Sequence, residues 1–463
     1  MHAVPSMTML WYILLLGGYL SASQCSGDPE AILRMDIGTI NRAVSTVLND
    51  SDVLQKLVEG ATEKKATTKP IKGIFVLEVM ELCAMEVALW LSPGVGVSMA
   101  VPVRMTLMGK SFIGGKMEIP MAANLSTSSR MVQDMQGCPR LSTRRCHVAL
   151  IHSWANLPHR MLPLIMSKFL DSTLQKVLHG LLCPAMAMVL DLVNAKFANM
   201  MHAIPLGNAG MLQYALLNPP MVREAFIQLE LKATLHSKEG EEVALRSELP
   251  PLTSLPPKRE AATQLILAAS FLSAELSIMQ AFFGLNITNG MVLGLVPLVT
   301  TMLGALIPEI SSTLPPSRPV VIEMQETQPL LVTITPEKST VHLFSTAKFW
   351  ASSPGSAPGS LFILDVHSEL GVRFAVTEER LQFSLTLHSL SHVAVVNSSI
   401  GAFNVLPLRG VLADIIHVAY VPSINRALRG GVPLPPLLGT PYRRVELRRM
   451  QDGLVLDVPV AES

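Results

Sequence analysis

Residues 161–184 read MLPLIMSKFLDSTLQKVLHGLLCP, an apolar run that enters on Pro163, reaches Cys183 and meets Pro184 directly after it. Leu162, Ile165, Phe169, Thr173 and Val177 recur at spacings of three and four, so they share one face of a helix over 164–182. Upstream, Asn156-Leu157-Pro158 marks a proline-rich entry, and Cys146 lies before it. A strand that carries Cys146 and a returning helix that carries Cys183 can be joined by one disulfide. A helix pinned in that way over a sheet forms the wall of a container, and little else in the chain looks like chemistry.

A disulfide needs an oxidising compartment. Met9 to Leu20 is an apolar run followed by the small, polar stretch Ser21 to Gly27, the pattern of a cleavable signal peptide over 1–27, although His2 stands where Lys or Arg is usual. Of five cysteines, Cys25 falls at the cut, leaving Cys83, Cys138, Cys146 and Cys183 with three ways to pair. Cys146 with Cys183 is preferred, and closing that loop stabilises by roughly 3–4 kcal/mol in the chain-entropy model. Cys83 and Cys138 either pair with each other or stay as buried thiols. Sequons at Asn49, Asn124, Asn286 and Asn397 fit the same compartment and make each a glycosylation candidate.

The 463 residues are 49% hydrophobic and 15% charged, with mean hydropathy +0.40. The charged share lies well below the roughly 25% of ordinary globular chains, so the fold buries unusual apolar surface or lines a cavity with it. A net charge of +1 provides no field for nucleic acid, and 5% aromatic residues provide few stacking platforms. Catalysis is not expected: the chain has no GxSxG, HExxH, phosphate loop or CxxC. His388 and His392 are four apart, but in strand-like sequence that spacing does not give the shared helical face of a metal pair. No metal or other cofactor is expected. The stretch from Met291 to Ile307 is largely apolar but short for the roughly 20 residues of a bilayer span, and reads as a buried or surface-seeking helix.

Two further helical stripes frame the chain. Leu33, Ile37, Ile40, Val44 and Val47 form the first, and Val411, Leu412, Ile415, Ile416, Ala419 and Ile424 the last, bent if anywhere at Pro422. Leu381, Phe383, Leu385 and Leu387 alternate with Gln382, Ser384, Thr386 and His388, a strand with one wet face. Leu361 to Val366 and Val393 to Val396 are further short apolar runs of strand length, without clean alternation and so open equally to burial on both faces, while Ile74 to Leu91 and Val101 to Met108 are strand candidates around Ser92-Pro93-Gly94. The proline-rich segment 247–259 separates an N-terminal half, 28–246, from a C-terminal half, 260–463. Each half carries long helices and antiparallel strands, which suggests two α+β domains of similar plan.

With those elements in place, Lys69-Pro70-Ile71-Lys72-Gly73, Pro93-Gly94-Val95-Gly96, Gly109-Lys110-Ser111-Phe112, the 161–184 block, Ser360-Leu361-Phe362, Ser398-Ser399-Ile400-Gly401 and Val432-Pro433-Leu434-Pro435 resemble the bactericidal/permeability-increasing (BPI) and lipopolysaccharide-binding-protein group over nearly the whole mature chain. The resemblance implies an elongated boomerang of two BPI-like barrels joined by a central sheet. It also implies the Cys146–Cys183 bond and an apolar pocket in each barrel for phospholipid acyl chains. Leu33, Ile37, Ile40, Val44, Leu162, Ile165 and Phe169 would face the N-terminal pocket, and Leu412, Ile415 and Ile416 the C-terminal one. Such pockets need no catalytic residue, because each buried methylene contributes about 0.8 kcal/mol. The 26 methionines suit irregular ligands.

The expected function is therefore that of a secreted or secretory-lumen lipid-binding protein without catalysis, with phospholipid as the bound partner. Endotoxin-binding members of the group present a strongly basic N-terminal tip. Here the candidate cluster is modest: Lys64, Lys65, Lys69 and Lys72 with Arg104, Lys110 and Lys116. Arg443, Arg444, Arg448 and Arg449 form a second patch, interrupted by Glu446. Weak association with anionic membrane surfaces is the remaining electrostatic expectation. The alternatives are a scaffold of the secretory pathway that keeps the pocket only as structure, and, less favoured, an innate-immune endotoxin binder.

Overall fold

The computed structural model describes residues 28–49, 74–111, 115–153, 164–243, 250, 252, 254–288, 290–291, 296–351 and 359–460; at 74–78, 110–111, 115–117, 164–171, 173 and 243 it describes the backbone alone. The signal segment and Lys64, Lys65, Lys69 and Lys72 lie outside the described residues. The helices are α1 (Ile37–Leu48), α2 (Leu164–Asn199), α3 (Ala269–Met279), α4 (Thr300–Leu306), α5 (Pro308–Thr313), α6 (Leu406–Ile415) and α7 (Val421–Ala427).

Two halves repeat one order of elements. Each begins with a fully buried strand, Ala31–Asp36 or Ala262–Ala268, and a helix follows directly, α1 or α3. A run of antiparallel strands comes next, over 74–153 or 285–398, then a return through α2 or through α6 and α7, and then strands over 204–243 or 446–459. The first half closes a five-stranded sheet in which Ile74–Ala84, Gly96–Ser111, Gly115–Gln133 and Pro139–Ser153 are neighbours in that order and Ala88–Ser92 pairs with Gly96–Ser111. The second closes a seven-stranded sheet centred on Ser339–Ala351, Gly359–Thr377 and Arg380–Ser398. The fold is α+β, two barrels joined by a shared sheet.

That shared sheet has nine strands and is built from both halves. Ala31–Asp36 lies between Phe226–Ser237 and Ala262–Ala268, and the latter pairs with Gly453–Pro459. A row of polar side chains runs across it. Arg34 donates from Nη1 to the Pro256 carbonyl (2.6 Å) and to Gln264 Oε1 (3.1 Å), and from Nε to Gln228 Oε1 (3.3 Å). Gln264 in turn donates to Asp457 (2.9 Å), which Arg448 also holds at 2.6 Å. Every partner is satisfied, which makes this burial tolerable and fixes the register between strands of the two halves. Residues 254–259 have no helix or strand, yet Lys258 reaches from them to Asp36 at 2.6 Å, with both side chains under 10% exposed. Tyr214 adds a further link, donating to the Pro433 carbonyl (3.2 Å) with its ring against Phe271.

Several expectations meet the structure differently. Leu33 belongs to a strand paired with Leu229 and Leu265, so it is not part of the first helical stripe. The helix starts at Ile37 because Asp36 caps it, accepting from the Gly38 amide at 2.8 Å. The pinned helix runs on past 182 to Asn199 with Pro184 inside it. Pro184 is exposed, so its ring and missing N–H disturb only the outer side. By length and composition Leu174–Asn199 could cross a bilayer; here it packs beside the Pro139–Ser153 strand.

The stretch from Met291 to Ile307 is not one helix: α4 covers only Thr300–Leu306, and Pro308 opens α5, while Met291 and Val296 are exposed. Val393 to Val396 is strand but not buried on both faces, since Val395 and Val396 are exposed. Ile74 to Leu91 divides into two strands, Ile74–Ala84 and Ala88–Ser92. Leu381, Phe383 and Leu385 are buried and Ser384, Thr386 and His388 exposed, as the alternation requires. At the last stripe a π-helical turn, Ile416–Tyr420, separates α6 from α7, just before Pro422. Widening the turn there keeps the proline ring clear of the carbonyl four residues back.

Candidate functional site

Cys146 on the Pro139–Ser153 strand is bonded to Cys183 on α2, with Cα atoms 5.9 Å apart. A second tie lies about three turns further along the helix. Asn194 accepts from the Leu141 amide (2.7 Å) and donates to its carbonyl (3.0 Å), so α2 is held to the strand at two points. Among the described residues the free cysteines are Cys83 and Cys138; Cys138 is buried, whereas Cys83 is exposed, contrary to the expectation for it. Burial raises the Cys138 thiol above its ordinary range, and Asp134 adds to that.

Between this helix, α1 and the inner face of the five-stranded sheet lies a narrow apolar cleft, open at one side, with room for little more than one water molecule. Its lining comes from three elements: Leu48 at the end of α1, Leu182, Ala185 and Met186 on α2, and Ala84, Val101, Val103 and Leu125 on the sheet. The register explains the sheet's share. Val103 is opposite Ala84, and Val101 is opposite Leu125, so all four project from the same face. Two of the eight lining residues are alanines, and their short side chains leave the space unfilled. None of the lining groups titrates. The lining is wholly apolar and offers nothing that donates, abstracts or coordinates.

The stripe residues lie near this space rather than on it. Ile40 and Val44 are completely buried and Ile37 is half-buried. The row they begin continues by four to Leu48, which does line the cavity. Leu162 lies outside the described residues, as do the side chains of Ile165 and Phe169. The α2 residues at the cleft are about four to six turns further on than Ile165 and Phe169. The signal for them was present, since Leu178, Leu182, Ala185 and Val189 continue the spacing of three and four past Cys183, but Pro184 masked it. Leu412, Ile415 and Ile416 are buried to within 1% in the C-terminal half, packed as core.

Arg104 is exposed, and the side chains of Lys110 and Lys116 lie outside the described residues. The second basic patch is weaker than its sequence suggests, because Arg448 is paired with Asp457. Glu446, which interrupts that patch, pairs with Arg259 instead of its arginine neighbours. Asn49, Asn124, Asn286 and Asn397 are all exposed.

The strongest electrostatic anomaly lies away from the cavity. Glu275 on α3 is fully buried, neither carboxylate oxygen has a hydrogen-bond partner, and burial pushes its pKa up to about 8 despite the attraction of Arg380. Arg380 instead donates to the carbonyls of Gly430, Gly431 and Pro205. Tyr420 donates to Glu326, whose carboxyl is also raised by burial.

The chain matches the family model described as LBP / BPI / CETP family, N-terminal domain, over residues 33–195 and the corresponding C-terminal domain over residues 205–461. It is 37% identical over 433 residues to human BPI fold-containing family B member 6, covering 93% of this chain and 95% of that protein. The mouse protein of that name is 34% identical, covering 96% and 98%. Among solved structures, the crystal structure of lipopolysaccharide binding protein superposes with a TM-score of 0.58 at 18% identity, over 93% of this chain and 98% of that one, which is a likeness of fold.

Proposed function

Because this chain belongs to the LBP / BPI / CETP family, we propose that it is a non-catalytic lipid-binding protein of the secretory lumen or extracellular space, holding phospholipid acyl chains in apolar space inside its barrels. The observation that supports this reading is the cavity between α1, α2 and the N-terminal sheet, whose eight lining residues are all apolar. As it stands the cleft is far smaller than the usual ~300–1,000 Å³ of ligand sites, so it must widen to admit a chain. An acyl chain enters by moving α2 and α1 apart, and Met186 on the wall adapts to it without a fixed shape. In this reading segment 247–259 links the halves 28–246 and 260–463, and Cys146–Cys183 keeps the wall attached while it moves. The exposed asparagines Asn49, Asn124, Asn286 and Asn397 are its glycan acceptors. Attraction to anionic headgroups is weak in this reading, because the net charge is +1 and Arg448 of the second basic patch is paired with Asp457.

The test is lipid extraction and native mass spectrometry of chain secreted from cultured cells. Phospholipid in defined stoichiometry is the expected result. Ala185→Leu and Ala84→Leu close the cleft and should lower bound lipid by more than half, at a stability cost of about 1–3 kcal/mol each, because the narrow space is overpacked by a leucine. Lipid-free protein would sink the proposal. The narrowness of the cavity favours a second reading in that event, a secretory-pathway scaffold that keeps the apolar interior only as structure.

A further inference from the structure

The inner face of the Gly115–Gln133 strand is apolar except at one place. Ile119, Met121, Ala123 and Leu125 are buried along it and Met131 follows, but Thr127 and Ser129 stand between them, 5% and 2% exposed. Neither hydroxyl has a hydrogen-bond partner among the described residues. Side chains two apart on a strand share a face, so both point the same way as Leu125, which lines the cleft. Thr127 stands opposite Met99 in one neighbouring strand and Cys146 in the other, and Ser129 stands opposite Val97. Cys146 is bonded to Cys183 on α2, and the residue before Cys183 is Leu182 of the cleft wall. Thr127 therefore lies on the side of the sheet that α2 covers, one step along the strand beyond the cleft, and Ser129 lies one step further.

Resting on the lipid-binding reading above, we infer that Thr127 and Ser129 form a hydrogen-bonding subsite for a phospholipid whose acyl chain carries a hydroxyl group part way along it. A buried hydroxyl without a partner carries a standing penalty, and plain hydrocarbon that enters beside it leaves the penalty in place. A hydroxyl on the chain relieves it, because that group can accept from Thr127 or Ser129 and can donate to either. A chain that enters beside Leu125 meets Thr127 next along the same face. In a bilayer interior the same chain hydroxyl has no fixed partner, so transfer out of a membrane favours the hydroxylated chain over the plain one. No residue of the cleft wall is charged, and neither are Val97, Met99 and Met131 beside the two hydroxyls. An ionised group would be left unpaired there, which excludes a fatty acid that enters carboxylate first. A neutral hydroxyl is the polar group that this interior can take.

The experiment is competitive uptake by the full secreted chain from vesicles made of equal parts dioleoyl phosphatidylcholine and diricinoleoyl phosphatidylcholine, which differ only by a mid-chain hydroxyl on each chain. Native mass spectrometry of the re-isolated protein reads the ratio. The unaltered chain should take up the hydroxylated lipid about fivefold in preference. Thr127→Val combined with Ser129→Ala should bring the ratio to within about twofold of parity and leave uptake of the dioleoyl lipid unchanged. Its melting temperature should be kept, because each change removes an unpartnered buried oxygen. Ser368→Ala removes an equally buried and unpartnered hydroxyl from the seven-stranded sheet, away from the cleft, and should leave the preference as it is. Equal uptake of the two lipids by the unaltered chain overturns this inference and leaves the lipid-binding reading standing, whereas uptake of neither removes both. A preference that survives the double change, or that Ser368→Ala abolishes as well, also overturns it.

Discussion

Replacing Asp36 with alanine should lower the stability of the fold by about 4–6 kcal/mol, because the change strands a buried ammonium and uncaps a helix at once. Oδ2 of Asp36 holds Lys258 at 2.6 Å, with side-chain exposures of 9% and 6%. Oδ1 accepts from the Gly38 amide at 2.8 Å, starting α1. Breaking a buried pair by removing one partner typically costs about 3–5 kcal/mol, and losing an N-cap about 1. Asp36→Asn keeps an oxygen for the cap and should lose mainly the pair. Adding Lys258→Met to Asp36→Asn removes the orphaned charge and should restore most of the stability, since a buried pair is often no better than apolar groups of like volume. Denaturant midpoints of the four proteins decide it. A loss under about 1 kcal/mol for Asp36→Ala would mean that water reaches Lys258. The consequence is structural, because Lys258 and Pro256 are where segment 254–259 is fastened to the central sheet.

Glu275 should make the protein lose stability as the solution becomes alkaline. Its carboxyl titrates near 8 when folded, against an ordinary value of 4.5, because burial disfavours the charge. Below pH 4.5 both folded and unfolded chains hold the proton and the site contributes no pH dependence. Between 4.5 and 8 the unfolded chain has released a proton that the folded chain keeps, so stability falls with rising pH. Above 8 the folded chain is ionised too and the full penalty, on the order of a few kcal/mol, is in place. Glu275→Gln removes this titration. The stability of the variant relative to the parent should therefore climb between pH 4.5 and 8 and level off above. Glu275→Met should be more stable than the parent even at pH 4.5, because it also removes two unpartnered buried oxygens. Chemical unfolding curves from pH 4.5 to 9 provide the measurement, and a difference that stays constant across that range would contradict the assignment.

Much of this molecule was legible because its signals are local. The alternation of Leu381, Phe383 and Leu385 against Ser384, Thr386 and His388 survives in the fold, since a pleated strand obliges it. The first stripe failed at Leu33 for an equally local reason. A strand buried on both faces has no alternation, so its last apolar residues blended into the period of the helix that follows. Pro184 hid the far half of α2, because a proline reads as a helix end in sequence and is tolerated when it faces solvent. His388 and His392 drew attention by spacing, yet the partner of His392 is His367, 25 positions away across a strand pair. No periodicity in one strand reports what lies opposite in another.

By itself the sequence determined the α+β class, the strand and helix that carry Cys146 and Cys183, and the apolar character of the interior. These follow from composition and from periods of two and 3.6, which backbone geometry imposes wherever one face is buried. The tertiary structure alone decided where the space is, at Leu48, Ala84 and Ala185 rather than along Leu33 to Val44. It alone brought Lys258 to Asp36, Arg34 to Gln264, and Asp365 to both His367 and His392. Each of these joins residues distant in the chain, or strands paired across a sheet, where the position of a side chain is set by register and by what packs against it.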